Sequence, residues 1–163
     1  MTTIELRDLE TRLAVWRAER HLTTAGQKEG LLANILEELT EFVRAQDDNE
    51  RVDACCDILI FLLNSKNEPI SLVDGEKINL LNKYEFCNMI FTNMFNNRAI
   101  HITIYQLEQL GYDSYKCMLE TIKEISSRTG HFDETIGKFV KDKSPEAQAK
   151  WYKADYSICK KEQ

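Results

Sequence analysis

The sequence predicts an all-α protein, a bundle of four or five helices with a metal site between two antiparallel ones. Three observations carry that reading. Apolar residues recur at helical spacing at Leu32, Ile35, Leu36, Leu39, Phe42 and Val43, the pattern of one buried stripe. A second stretch, Cys55, Cys56, Ile58, Leu59, Ile60, Phe61, Leu62 and Leu63, is apolar nearly all round, as in a helix enclosed by others. Only two prolines and six glycines punctuate 163 residues, few breakers for a chain of this length.

In chain order, residues 3–22 read as an amphipathic helix capped by Thr2 or Thr3, with Ile4, Leu6, Leu9, Leu13 and Trp16 on its apolar side. Residues 22–30 are polar, contain Gly26 and Gly30, and read as a connection. Two helices follow, at 31–46 and 50–65, with Asp48 or Asn49 capping the second. Pro69 and Gly75 mark 66–75 as a loop. A helix is expected at 76–97 and another at 101–110. The β-branched start of the latter leaves a strand as its alternative, and Gly111 is its stop signal. Asp113 or Ser114 caps a helix at 114–128, which Gly130 ends. Residues 1–130 form the bundle, with 76–110 as an extended segment. Residues 131–163 form a basic and aromatic C-terminal tail with one helix at 144–153, opened by Ser144-Pro145.

The chemistry-bearing residues sit on the two central helices. Glu38 and Glu41, three apart, share a helix face. Glu50, Asp53, Asp57 and Asn64 form one column along the apolar helix. Asp57 is enclosed by apolar neighbours in sequence, and no Lys or Arg lies between Val52 and Ser65. A buried carboxylate needs a cation, a hydrogen bond or a proton. Clustered carboxylates without a nearby base suggest a hard divalent ion held through oxygen, Mg²⁺ or Mn²⁺. The plain alternative for Glu37 is a solvated helix face. Lys28, just ahead of the acidic helix, is either a surface residue or a phosphate contact. In the tail, Lys138, Lys141, Lys150 and Lys153 interleave with Trp151, Tyr152 and Tyr156. Such a mixture binds phosphate and stacks on a base, or else docks its aromatics onto the bundle.

EELTE followed by VDACCDILIF resembles the E-E-x-x-E … E-x-x-D signature of the MazG and dimeric dUTPase superfamily, the all-α nucleoside triphosphate pyrophosphohydrolases. Glu37, Glu38 and Glu41 match its first half and Asp57 its final Asp. The Glu three residues before that Asp is Ala54 here, a departure. Asp53 could replace it, as in members reading D-A-L-A-D, and Glu50 is the other candidate. Looser similarity extends to Trp16, Gln27 and residues 110–112. The tail GKFVKDKSPEAQAKWYKADY is similar to that of MazG-like proteins carried by bacteriophages. The family's S-N-x-S-K has no close match; Ser126, Ser127 and Arg128 are the nearest residues.

The resemblance implies Mg²⁺-dependent hydrolysis of a (d)NTP to the monophosphate and pyrophosphate. The metal ligands would be Glu38, Glu41, Asp53 and Asp57, and Glu37 or Glu41 would handle the proton of the attacking water. Lys28, Asn64, Lys138, Lys141, Trp151 and Lys153 would be the substrate contacts. It also implies a homodimer or dimer of dimers. The alternative is a non-catalytic nucleotide- or partner-binding protein on the same scaffold.

Other classes are excluded on composition and motif. A net charge of −6 argues against a general nucleic-acid binder. His21, His101 and His131 make no E-x-x-H, so a di-iron bundle is not indicated. There is no P-loop and no dinucleotide-binding glycine pattern. Five cysteines without C-x-x-C suggest reduced core thiols and a cytoplasmic protein. The first ten residues carry four charges, unlike a signal peptide, and no apolar run suggests a membrane span.

Overall fold

The structure is a computed structural model that describes residues 1–70 and 82–162. It is mostly helical, as expected. Six helices have eleven residues or more: α1 (Thr3–Glu19), α2 (Thr24–Arg44), α3 (Asp48–Asn64), α4 (Lys83–Asn93), α5 (Arg98–Gln109) and α6 (Ser114–Ser127). A hairpin of β1 (Gly130–Asp133) and β2 (Lys138–Lys141) follows, then a single turn α7 (Pro145–Gln148) and a 3₁₀ turn, Tyr156–Cys159.

Helix α3 is the centre. It packs against α1, α2, α5, α6 and the 3₁₀ turn. Its burial follows from its composition: Val52, Ala54, Cys55, Cys56, Ile58, Leu59, Ile60, Leu62 and Leu63 are all buried. The chain reverses through Ala45–Asp47, so α3 runs back along α2. Asp47, rather than Asp48 or Asn49, is the N-cap, its side chain accepting from the Glu50 amide. Thr2 caps α1 in a capping box with Glu5, and Asp113 caps α6. Gly111 stops α5 in the left-handed region, φ +87°.

Five expectations change. The stretch 22–30 is helical from Thr24, because Thr23 caps the amide of Gly26 and starts α2 about two turns early. The apolar stripe of α2 is narrower than its sequence suggests. Leu31, Ile35, Leu39 and Phe42 are buried, while Leu32, Leu36 and Val43 are exposed, as is Ile4 on α1. Gly130 does not end α6; Ser127 is the last helical residue, and Gly130 opens β1. A Cβ there would lie 2.2 Å from the Val140 carbonyl oxygen, so the paired strand leaves no room for a side chain. The helix at 144–153 shrinks to Pro145–Gln148. Beyond it, the amides of Tyr152 and Ala154 donate to Ser127 Oγ and Glu124 Oε2 on α6, at 2.8 and 2.7 Å, instead of to a helix ladder. Finally, the helix expected at 76–97 is observed as Lys83–Asn93. Its first part, 76–81, and most of the loop 66–75 lie outside the described residues.

The C-terminal segment is part of the core rather than a solvated appendage. Tyr156 and Cys159 are buried. The Asp113 amide donates to the Cys159 carbonyl at 2.8 Å, and Lys161 N to the Gly111 carbonyl at 2.9 Å. All five cysteines are free thiols. Among the described residues no helix is long and apolar enough to cross a membrane.

Candidate functional site

Helices α2 and α3 bring Glu37, Glu38 and Asp57 to one cleft, and the charges of Glu41 and Asp53 also reach Glu38. Glu38 is 7% exposed, and its Oε2 is buried with no hydrogen-bond partner. Burial, then the charges of Asp57, Glu41, Glu37 and Asp53, push its carboxyl up to about 8. Asp57, half-buried on the facing helix, is pushed up to about 7 by burial and by Asp53, with Arg128 opposing the shift. Asp53 is raised by burial, opposed by a hydrogen bond from Tyr156 at 2.7 Å. Glu37 and Glu41 are exposed. Glu50 is outside this cluster: its Oε2 accepts from the Gln46 amide at 2.6 Å and braces the turn. Among the described residues no three His, Cys, Asp or Glu side chains are already drawn together as a group that could hold a metal ion.

A cleft of about 850 Å³ opens in front of these acids, within the range typical of small-molecule sites. Glu37, Glu38 and Asp57 line one wall. The opposite wall comes from the hairpin and the end of α6: Phe132, Ile136, Gly137, Lys138, Phe139, Lys141 and Arg128. Trp16, His21, Gln27, Asn34 and Phe61 line the remainder. The indole Nε1 of Trp16 is buried and unpartnered. His21 holds a left-handed backbone, φ 54°, just past the end of α1, and its ring packs 5.8 Å from Phe132.

The hairpin wall is set by one buried residue, Arg20. Its Nη2 donates to the carbonyls of Ile125, Ser126 and Arg128 at 3.2, 3.1 and 3.3 Å. These are carbonyls at the end of α6, where a helix leaves acceptors unsatisfied. The guanidinium also lies 4.9 Å from the Trp16 ring centroid and 5.3 Å from that of Phe139. Arg20 thus ties α1, α6 and the hairpin together and holds the basic residues across from the acids.

Of the expected substrate contacts, the structure brings Lys138 and Lys141 into the cleft. Lys153 lies close enough to Asp53 to act on its charge. Three expectations are corrected. Lys28 is exposed and does not line the cleft, while its neighbour Gln27 does. Asn64 is fully buried and accepts from Arg17 Nη1 at 2.5 Å. It stands seven residues past Asp57, about 10 Å along the axis, and outside the cleft. Trp151 is half-buried beside the α7 turn and does not line the cleft either.

Sequence reasoning missed Arg20 and Glu124. Glu124 pairs with Arg128 at 2.6 Å and adds its charge to Asp53 and Asp57. The signal for it was the i, i+4 spacing of Glu124 and Arg128 on one face of α6. Nothing local marked Arg20 as a tie between elements, since its partners on α6 and the hairpin are more than a hundred residues away. No protein-family model, curated protein or solved structure matches the chain.

Proposed function

We propose that the protein is a Mg²⁺-dependent nucleoside triphosphate pyrophosphohydrolase, converting a (d)NTP to the monophosphate and pyrophosphate. One observation carries the reading: the Glu38 oxygen that is buried without a partner and surrounded by four other carboxylates at the mouth of a cleft with a basic opposite wall. Such an oxygen requires a proton or a cation. The donor set is all carboxylate, which suits a hard divalent ion. Glu38, Glu41, Asp53 and Asp57 would hold it. When bound, Mg²⁺ supplies charge neutralisation for the phosphates and lowers the pKa of a bound water.

The chain's own residues would do the rest. Arg128, Lys138 and Lys141 neutralise the triphosphate from the hairpin side. The rings of Trp16, Phe132 and Phe139 offer a stacking surface for the base. Glu37, exposed at the rim of the cleft, accepts the proton of the attacking water. Water oxygen bonds to the α-phosphorus, the bridging bond to the β-phosphate breaks, and pyrophosphate leaves with that electron pair. Ala54 is buried at 2% exposure, so Asp53 serves where the resemblance expects a Glu.

The exposed apolar residues Leu32, Leu36 and Val43 on α2, with Tyr84 and Phe91 on α4 and Phe95 just past its end, support a homodimer. Free thiols support a reducing, cytoplasmic setting. The test is incubation with each (d)NTP and Mg²⁺. Pyrophosphate is the expected product; orthophosphate, or no turnover, overturns the assignment. The second reading, a nucleotide-binding protein without catalysis, is favoured by the departure at Ala54. Calorimetry showing tight binding of nucleotide with Mg²⁺ and no hydrolysis would select it.

A further inference from the structure

We propose that Tyr156 is a positioning residue for the acidic cluster: its phenol, carried in on the C-terminal 3₁₀ turn, holds Asp53 in the orientation in which that carboxylate serves a divalent cation. The inference rests on the reading of Glu38, Glu41, Asp53 and Asp57 as the cation site.

The phenol is held from two sides. Tyr156 Oη donates to Asp53 Oδ1 on α3 at 2.7 Å and lies 3.0 Å from Thr121 Oγ1 on α6. Thr121 Oγ1 in turn lies 2.9 Å from the Cys117 carbonyl. A phenol has one proton and an ionised carboxylate has none to give, so that proton goes to Asp53. Thr121 then donates to the phenol oxygen or to the Cys117 carbonyl. With Oδ1 engaged, Oδ2 is the oxygen left for a cation. Partners of this kind, which orient ligating carboxylates, are part of a metal site's design.

The hydroxyl is not what docks the turn. Asp155 caps it, accepting from the Ser157 amide at 3.0 Å. The backbone bonds between Asp113 and Cys159 and between Lys161 and Gly111 pin it to the α5–α6 junction. The ring itself is 6% exposed and packs in the core. Removing only the oxygen therefore leaves the anchorage in place while freeing Asp53 to rotate. Asp53 is one position away from the Glu that the resemblance expects, and its side chain is a methylene shorter. Fixing its orientation from the C-terminus is what such a displaced ligand requires.

The experiment titrates the full-length protein with Mn²⁺ alone, without nucleotide, following free Mn²⁺ by electron paramagnetic resonance. Y156F is expected to weaken Mn²⁺ binding about tenfold or more while the melting temperature stays close to that of the parent. In a D53N background, adding Y156F is expected to change Mn²⁺ binding no further, because the carboxylate it orients is gone. Unchanged Mn²⁺ binding in Y156F overturns the proposal, as does an equal loss in the D53N background. A Y156F protein that no longer folds makes the residue structural and overturns it too. If the parent protein binds no Mn²⁺, this inference and the cation site fall together. If it binds Mn²⁺ but releases no pyrophosphate, only the hydrolase reading falls.

Discussion

Helices α2 and α3 line the cleft together with the hairpin that opens the C-terminal segment 130–162, yet the helix pair and that segment are held by different physics. The helix pair is made by local periodicity and apolar burial: Ile35, Leu39, Phe42, Ile58 and Leu62 would find a hydrophobic neighbour in many arrangements. The C-terminal segment buries few apolar side chains. It is held by polar groups finding particular partners: Tyr152 Oη on Glu120, the Ala154 amide on Glu124, Tyr156 Oη on Asp53, Phe139 on Arg20. Non-directional burial tolerates substitution, whereas a directional contact made by one pair does not. The acidic wall should therefore be robust in fold and fragile in chemistry, and the basic wall fragile in both.

The largest effects should come from the acidic wall. E38Q and D57N are expected to lower turnover by about a thousandfold or more, since under the proposed function each removes a metal ligand, while helical circular dichroism is unchanged. Without metal, their melting temperatures should match or exceed the parent's, because a destabilising charge is gone. Normal hydrolysis by either variant would break the comparison at its functional end.

Next in size is R20A. It leaves three carbonyls without their donor and removes the link to Phe139, and should cost about 3 kcal/mol in denaturant unfolding. A loss below about 0.5 kcal/mol would show that the hairpin wall stands without it. G130A should cost about 1–3 kcal/mol, because its Cβ would meet the Val140 carbonyl oxygen at 2.2 Å. Hydrogen exchange should show that the protection lost is concentrated in the hairpin.

A smaller, purely electrostatic effect is expected from K138A together with K141A: KM for the triphosphate rises about tenfold and becomes less salt-dependent, with little change in melting temperature. Steady-state kinetics at two ionic strengths would decide it. A pH slope is expected as well. Glu38 is raised from 4.5 to about 8 and Asp57 from 3.8 to about 7. Between those values the folded state holds protons that the unfolded chain has released, so stability falls as pH rises through the window. Below the unfolded values the penalty is absent; above the folded values it is fully present. Metal-free protein should melt several degrees lower at pH about 8 than at about 5. The slope should flatten in E38Q and on adding Mg²⁺. A rising melting temperature across this window would contradict the burial of Glu38.

The helices were legible because helix formation depends on neighbours three and four residues away, and that spacing is written in the chain. Periodicity located α3 and its enclosure, Gly111 located the end of α5, and Ser144-Pro145 located the start of α7. The acidic cluster was legible for the same reason: Glu38 and Asp57 stand where an apolar pattern should continue. What only the tertiary structure decided is the other side of the cleft. Whether 149–155 continues a helix or lies along α6 depends on Ser127 and Glu124, about 25 to 30 residues earlier. Lys28 and Gln27 are adjacent in sequence, and a rotation of about 100° on one helix sends one to the surface and the other to the cleft. The sequence by itself located the main helices and the carboxylates that α2 and α3 carry. Long-range hydrogen bonds, whose partners are invisible to any local pattern, decided what closes over them.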